Sequence, residues 1–161
     1  MKILSTSFLC SLFFMAFYAS VFANPDPVKP FVVVLDAGHG GKDPGNLGNG
    51  YMEKIIALKI ALEAGALLSS YQDIKVIYTR DSDDFVALTQ RGAIANKAKA
   101  DIFISVAKSD GSSLSLLEAM CIGTPALVTD NPANREWVED NLTGFLFSGD
   151  TGIELATKIR S

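Results

Sequence analysis

The sequence predicts an α/β fold, with a mostly parallel sheet and helices on both of its faces. Val32–Leu35 is an apolar run followed by Asp36 and a glycine-rich segment, as expected of a strand buried on both faces. Helical spacing of apolar residues follows, and short strand-like segments then alternate with helical ones to the end of the chain. This alternation is typical of right-handed crossover connections between parallel strands.

The first 23 residues are expected to be a secretory signal peptide. Lys2 precedes an uncharged apolar core, Phe8–Phe22, and small residues stand at the expected cleavage point after Ala23. Residues 24–30 contain three prolines and are predicted to be an extended linker. We therefore expect a secreted or periplasmic protein with no stable membrane span after cleavage. A retained membrane anchor is the alternative, because the leader carries a single lysine.

The remaining elements are predicted from periodicity and turn residues. Isoleucine and leucine at helical spacing predict a largely buried helix over residues 52–69. Turn-forming residues predict an exposed, ordered loop over residues 42–50. Further strands are predicted at 74–79, 101–106, 126–129 and 144–147, and further helices at 87–98, 114–121, 134–140 and 153–159.

Charge and cysteine content exclude several function classes. The 161-residue chain has a net charge of −4, which loss of Lys2 would make one unit more negative, and it contains no run of lysine or arginine. This balance argues against nucleic acid as a partner and against electrostatic binding to membranes. Cys10 would leave with the signal peptide, so Cys121 has no partner for an intramolecular disulfide.

The single histidine, His39, is the first candidate functional residue. It follows the first predicted strand and is flanked by glycines, at the sheet edge where α/β proteins bind ligands. Glu53 lies in the first turn of the next helix, so an imidazole and a carboxylate are available for zinc. A solvated loop histidine and a helix-capping glutamate are the structural alternatives. Arg80, at the end of the second main strand, is expected to form an ion pair or to contact substrate.

Several ordered motifs resemble the zinc-dependent N-acetylmuramoyl-L-alanine amidases, which cleave peptidoglycan. The resemblance covers about half of the chain and implies hydrolysis of the amide between N-acetylmuramic acid and L-alanine by a zinc-bound water. It also implies that His39 and Glu53 bind the zinc. The matching segments are Leu35–Gly45, Glu53–Lys54, Tyr78–Leu88, Arg91, Ala95–Asn96 and Phe103–Val106.

The sequence departs from this family at two points. The family's third zinc ligand is a histidine directly after the third main strand, and Ala107 occupies that position here. The family's catalytic glutamate lies on a later strand for which this chain has no matching segment. Asp110 is the nearest acid that could take the place of the third ligand. We therefore expect an amidase-like zinc hydrolase that is incomplete and impaired.

The last third of the chain is similar to the nucleotide-sugar-binding C-terminal domain of retaining two-domain glycosyltransferases. By this resemblance Asp110 would lie near the donor sugar and Glu118 would hold the ribose hydroxyls. A helix with an ordinary serine N-cap is the structural alternative. The basic residues for the diphosphate and the acceptor domain are absent from the sequence. The matching segments are Ser109–Pro125, Thr129–Glu136 and Gly144–Phe147.

The chain is therefore predicted to be a composite of two partial α/β domains. The amidase-like part would span residues 31–107 and the glycosyltransferase-like part residues 108–161, joined after a strand, 100–106, that suits both families. A peptidoglycan amidase that uses zinc is the first functional hypothesis. A nucleotide-sugar-dependent transferase fragment is the second, and a non-catalytic fusion or wall-binding protein is the third.

Overall fold

The computed structural model describes residues 29–48, 50–108 and 113–161, and these contain a five-stranded parallel sheet. Its strand order is β4-β1-β5-β6-β7, and a separate antiparallel hairpin pairs β2 with β3. The predicted signal peptide lies outside the described residues. The strands are β1 (Phe31–Asp36), β2 (Leu47–Gly48), β3 (Tyr51–Met52), β4 (Ile74–Tyr78), β5 (Ile102–Ser105), β6 (Ala126–Thr129) and β7 (Phe145–Phe147).

Helices cover both faces of the sheet, which confirms the predicted fold class. Two of them pack together on one face, over a core that contains Val33, Leu35 and Ile104. Two others pack on the opposite face, over Val34 and Phe103. The helices are α1 (Glu53–Leu68), α2 (Leu88–Ala98), α3 (Leu114–Cys121), α4 (Pro132–Arg135) and α5 (Gly152–Arg160), of which α1 and α5 share the first face and α2 and α3 the second.

The central position of β1 follows from its sequence. Its side chains alternate between the two apolar cores, so a strand that carries valine and leucine on both sides buries all of them. β1 pairs with β4 on one side and with β5 on the other, and both pairings are parallel. The chain thus crosses from one edge of β1 to the other between β4 and β5.

This crossing creates a crevice at the carboxyl ends of β1 and β5, which is where doubly wound sheets bind ligands. The segment between β1 and β2, residues 37–46, carries His39 and is called the His39 loop. It lies at one side of the crevice. The segment through Ala107 leaves from β5 at the other side. The strand order therefore brings His39, a predicted ligand, and Ala107, in the expected position of a third ligand, to the same crevice.

The two predicted parts of the chain share one sheet and one set of helix contacts. β5 pairs in parallel with β6, so Phe103 is opposite Ala126. On the other side of the join, α5 packs closely on α1: a Cβ on Gly152 would lie only 2.5 Å from the backbone nitrogen of Ala64. Lys108 also forms an ion pair with Asp150. The sheet therefore continues across the predicted join, as expected.

Several local predictions need correction. The loop predicted over residues 42–50 contains β2 and leads into β3, because two short extended segments can pair around the Gly50 turn. The helix predicted over 134–140 is instead α4, whose N-cap is Asn131 with proline as the next residue. α1 is less buried than predicted, since Ile55 is 57 % exposed. Among the described residues, no helix has the length and apolar character needed to cross a bilayer.

Candidate metal centre

His39 lies in a backbone conformation that is unusual for a residue with a side chain. Its φ is +59°, and the two glycines that follow it also have positive φ values. A Cβ on Gly40 would lie 2.1 Å from the carbonyl oxygen of Asp84, so only glycine fits there. Strained backbone of this kind persists only when surrounding contacts hold it in place.

Two buried arginines supply those contacts. Arg80 donates from Nε to the Ala37 carbonyl and from Nη2 to the Gly38 carbonyl, both at 2.8 Å. Arg91, which is 2 % exposed, donates from Nη1 to the Ala37 carbonyl at 2.7 Å and from Nη2 to the His39 carbonyl at 2.6 Å. Three consecutive carbonyls of the loop are thus bound by guanidinium groups.

Among the described residues, no carboxylate is a hydrogen-bond partner of Arg80, so the predicted ion pair is not found there. Its other hydrogen bonds go to the backbone carbonyls of Ser82 and Lys54, so its role within the described residues is to bind backbone. Burial lowers the pKa of Arg80, and the nearby positive charge of Arg91 lowers it further. The carboxylates that follow it in the sequence have other partners: Asp83 binds Lys54 and the Gly41 N–H, and Asp84 binds the Ser82 hydroxyl.

Asp36 balances one of these positive charges. It ends β1, is buried, and accepts hydrogen bonds from Arg91 Nη1 at 2.7 Å and from the Thr79 hydroxyl at 2.6 Å. The salt bridge between Asp36 and Arg91 joins β1 to α2 beneath the His39 loop. A buried ion pair with these further hydrogen bonds is costly to break by removing one partner.

Asp43 contacts the imidazole of His39 directly. Its Oδ2 lies 2.9 Å from Nδ1 of His39, and its Oδ1 accepts the backbone N–H of Gly45 at 3.1 Å. The hydrogen bond with His39 lowers the pKa of Asp43, burial opposes this, and the Gly45 N–H lowers it further. Sequence analysis missed Asp43, and its only signal was a carboxylate four residues after the histidine in a tight loop.

Glu53, in the first turn of α1, places its carboxylate next to the imidazole of His39. It is 6 % exposed, and each of its carboxylate oxygens accepts a backbone N–H: Oε2 from Asn46 at 3.1 Å and Oε1 from Lys108 at 2.6 Å. Its Oε2 lies 3.6 Å from His39 Nε2. The structure therefore brings together the two side chains that the sequence predicted as ligands.

These two side chains fit two corners of a zinc site. Zinc bonds of about 2.0–2.2 Å to nitrogen and oxygen place tetrahedral ligand atoms about 3.3–3.6 Å apart. Gly45 lies against both residues, because a Cβ there would be 2.6 Å from His39 Cδ2 and 2.8 Å from Glu53 Cβ. The donor types and their separation thus match zinc, and the glycine allows the two side chains to approach.

A third protein ligand is not found in the part of the chain that the structure describes. Ala107, in the expected position after β5, is 4 % exposed and offers only a methyl group. No group of three or more histidine, cysteine, aspartate or glutamate side chains within the described ranges is arranged to hold a metal ion. Asp110, the predicted substitute, lies outside those ranges.

Two cavities flank the pair. His39 lines a cleft of about 360 Å³ together with Asp36, Asp43 and Phe85. Glu53 lines a smaller one of about 170 Å³, together with residues of the β2–β3 hairpin and with Lys108. Space for a substrate is therefore present on both sides of the two predicted ligands.

Glu118, the predicted ribose-binding residue, lies away from this centre. It is on α3 and packs against α2, where its Oε2 would be 1.9 Å from a Cβ on Gly92. It lines a different groove, which also includes Asn96 and Cys121. The structure does not bring Glu118 to the cleft of His39, and its suggested partner Asp110 is not among the described residues.

Comparison with known proteins gives two family matches. Residues 33–107 match the model of N-acetylmuramoyl-L-alanine amidases, and residues 71–161, more than half of the chain, match that of group 1 glycosyl transferases. The second match covers more than half of the chain, so the chain belongs to that family, whereas the first covers just under half and shows that the N-terminal part is similar to the amidases. The two matches overlap over residues 71–107, which include β5.

Individual relatives match different shares of the chain. An endolysin of Bacillus phage SPP1 is 52 % identical over 75 residues, which are 47 % of this chain and 28 % of that protein. The probable amidase AmiB of Haemophilus influenzae is 34 % identical over 140 residues, 86 % of this chain and 31 % of that protein. The chain thus spans about three tenths of the length of these curated relatives.

Among solved structures, the catalytic domain of the amidase CwlV from Bacillus (Paenibacillus) polymyxa var. colistinus is 42 % identical. The alignment covers 52 % of this chain and 48 % of that one, with a TM-score of 0.47.

Proposed function

We propose that this protein is a cell-wall hydrolase of the peptidoglycan amidase type, which acts on the amide bond between N-acetylmuramic acid and L-alanine. Zinc is the proposed cofactor, with His39 and Glu53 as its protein ligands. The amidase match of residues 33–107 supports this proposal, as do relatives that are named as amidases. The matched residues make up about three tenths of two of those relatives, so the activity of the whole protein is proposed on this part alone.

The observation that carries the proposal is the 3.6 Å separation of His39 Nε2 and Glu53 Oε2 at the ligand-binding edge of the sheet. A bound zinc supplies an acidified water and polarises a carbonyl group. The chain's own residues hold the site in shape: Arg80 and Arg91 bind the His39 loop, and two backbone N–H groups orient the Glu53 carboxylate.

The proposed activity is impaired because the site is short of ligands. Catalytic zinc usually has three protein ligands and one open position for water. With Ala107 in the third position, we propose weaker zinc binding and slower hydrolysis than a three-ligand site supports.

Metal analysis of the purified mature chain tests this proposal. After incubation with zinc and removal of excess ion, we expect up to one zinc per chain, lost in Glu53→Ala and His39→Ala. The control is Glu136→Ala, which removes an exposed carboxylate far along the sequence from the site. A wild-type chain that binds no more zinc than Glu53→Ala would overturn the proposal.

Peptidoglycan assays separate the enzyme from a wall-binding protein. We expect slow release of soluble fragments from purified peptidoglycan, abolished by a chelator. Sedimentation of the protein with peptidoglycan, without any release in the presence of zinc, would instead support the non-catalytic alternative.

Export is a second part of the proposal. Residues 1–23 are proposed to be a signal peptide that directs a secreted or periplasmic protein. Expression with the leader intact, followed by N-terminal sequencing of the exported chain, is expected to give Asn24 as the first residue. Retention of Met1 on a membrane-associated chain would favour the anchor alternative.

Nucleotide-sugar binding is the second candidate, because residues 71–161 match group 1 glycosyl transferases. Asp110 would then lie near the donor sugar and Glu118 would hold the ribose. Thermal stabilisation by a uridine or adenosine diphosphate sugar, lost in Glu118→Gln, would support this candidate. No saturable stabilisation at millimolar ligand would exclude it.

A further inference from the structure

We propose that Asp43 is a positioning residue, which determines the imidazole nitrogen of His39 that carries the proton and so presents Nε2 to a metal. This inference rests on the proposed function. An imidazole binds a metal only through a nitrogen lone pair, so a ligand bound through Nε2 must carry its proton on Nδ1.

The position of Asp43 is well defined by backbone contacts. Gly40 and Asp43 exchange two backbone hydrogen bonds, at 2.9 and 3.1 Å, which close the loop around His39. The Gly45 N–H binds Oδ1, and this leaves Oδ2 at 2.9 Å from His39 Nδ1. The carboxylate is therefore held against one particular ring nitrogen.

The charge state of Asp43 sets the direction of this hydrogen bond. An aspartate carboxylate is ordinarily ionised near neutral pH, so Asp43 Oδ2, 2.9 Å from Nδ1, can only accept in this hydrogen bond. The proton of the bond must then belong to His39 Nδ1. Nε2 of the neutral ring is left with a lone pair, on the side where Glu53 lies.

Glu53 is a weaker competitor for that proton. Its nearer oxygen is 3.6 Å from Nε2, whereas Asp43 is 2.9 Å from Nδ1. Both Glu53 oxygens also accept backbone N–H groups, from Asn46 and Lys108. A histidine between two carboxylates thus places its proton toward Asp43 and its lone pair toward Glu53, which suits a shared cation.

Because the chain has one histidine, imidazole NMR can be assigned without ambiguity. We would record long-range ¹H–¹⁵N correlations of the metal-free mature chain at about pH 9, well above the ordinary histidine pKa of about 6.5. The wild-type ring is expected to be mainly the Nδ1–H tautomer. In Asp43→Ala the Nε2–H tautomer is expected to become the major form.

Asp83→Ala is the matched control. Asp83 also accepts a backbone N–H of this loop, from Gly41, but its other partner is Lys54 rather than His39. The tautomer in Asp83→Ala is expected to match the wild type. Asp43→Asn keeps an acceptor oxygen for Nδ1 and is expected to retain the wild-type tautomer in part, which provides a folded comparison should Asp43→Ala loosen the loop.

Zinc titration of the same variants completes the test. Loss of a residue that orients a histidine ligand commonly lowers metal affinity by about 10–100-fold, and we expect this for Asp43→Ala but not for Asp83→Ala. An unchanged tautomer or an unchanged affinity in Asp43→Ala would overturn the inference. Absence of zinc binding by the wild type, with the tautomer change present, would overturn the proposed function and leave the effect of Asp43 on the ring established.

Discussion

The two sides of the crevice between β1 and β5 differ in the side chains that they contribute to the proposed zinc site and its surroundings. On the β1 side, Arg80 and Arg91 bind three consecutive carbonyls, and Asp43 contacts the imidazole. On the β5 side, Ala107 has no donor side chain, and the contribution to Glu53 is the backbone N–H of Lys108.

In the proposed zinc site, the buried contacts around His39 are therefore present although the position after β5 carries no ligand side chain. The β1 side is built from buried charges and strained backbone, which are mutually dependent and costly to disturb. On the β5 side, a ligand side chain at position 107 would bind the metal but would add little to the packing. Ala107 occupies that position and is buried. Each of the following variants tests this comparison, in order of decreasing expected effect.

Arg91→Leu should have the largest effect, because it removes the buried hydrogen bonds and the salt bridge that Arg91 forms on the β1 side of the crevice. Asp36 would lose its buried charge partner, and two loop carbonyls would lose their donor. We expect the free energy of unfolding to fall by about 3–5 kcal/mol. Urea denaturation measures this. Arg135→Leu, which breaks an exposed ion pair with Asp130, is the control and should change little; equal effects of the two variants would contradict the comparison.

Ala107→His should supply a third zinc ligand on the β5 side of the crevice. Four ligands of a structural zinc site together supply about 10–16 kcal/mol, so one further ligand is worth about 2–4 kcal/mol, a gain in affinity of roughly 30-fold to 1,000-fold. Zinc titration measures the gain, with Ala107→Phe as a control of similar bulk. A gain in zinc together with hydrolysis would mean that the lost ligand explains the impairment. A gain in zinc alone would indicate a missing base, and no gain over Ala107→Phe would refute a vacant ligand position.

Gly45→Ala should separate His39 from Glu53. Alanine at φ +66° costs about 1–2 kcal/mol, and its Cβ would also push against both side chains. Gly50→Ala is the control, since its φ is +80° but the added Cβ would meet no atom of the described, non-adjacent residues within 4 Å. Both variants should lose some stability in urea denaturation, but only Gly45→Ala should lose zinc affinity. Equal zinc affinities would show that contact at Gly45 is unimportant to the site.

Asp83→Asn should give the smallest change, which depends on pH. Lys54 and the Gly41 N–H hold the pKa of Asp83 below its ordinary value. Its contribution to stability is therefore present above the unfolded-state pKa of about 3.9 and is lost as the pH falls through the lower folded-state pKa. Urea midpoints between about pH 2 and 6 should fall less steeply in Asp83→Asn than in the wild type. Parallel curves would contradict this assignment.

Most of the elements followed from local patterns. The predicted helix over 114–121 and the strand over 126–129 have the bounds that the structure gives, because apolar periodicity and turn residues are local properties. The α4 region was misjudged, since Asn131 and Pro132 start a helix earlier than the apolar pattern suggested. The loop over 42–50 was incompletely predicted because two-residue strands carry almost no periodicity.

His39 and Glu53 were recognised from the sequence through their places after a strand and at a helix start, together with the resemblance to amidases. That their side chains meet, at 3.6 Å, depends on the path of the glycine loop, which sequence spacing does not specify. Arg91 and Asp36 are 55 residues apart and were not recognised as partners. Contacts between distant residues depend on strand order and on helix packing.

The amino-acid sequence by itself determined the alternation of strands and helices, and it indicated the resemblance to two families and the two candidate ligands. Tertiary structure decided that both parts share one sheet, that Arg80 and Arg91 bind the backbone of the His39 loop while Arg91 also pairs with Asp36, and that Asp43 faces His39. The physical reason is that periodicity and turn chemistry act between neighbours in the chain, whereas burial, charge pairing and hydrogen bonds of the site act between residues that only the folded sheet brings together.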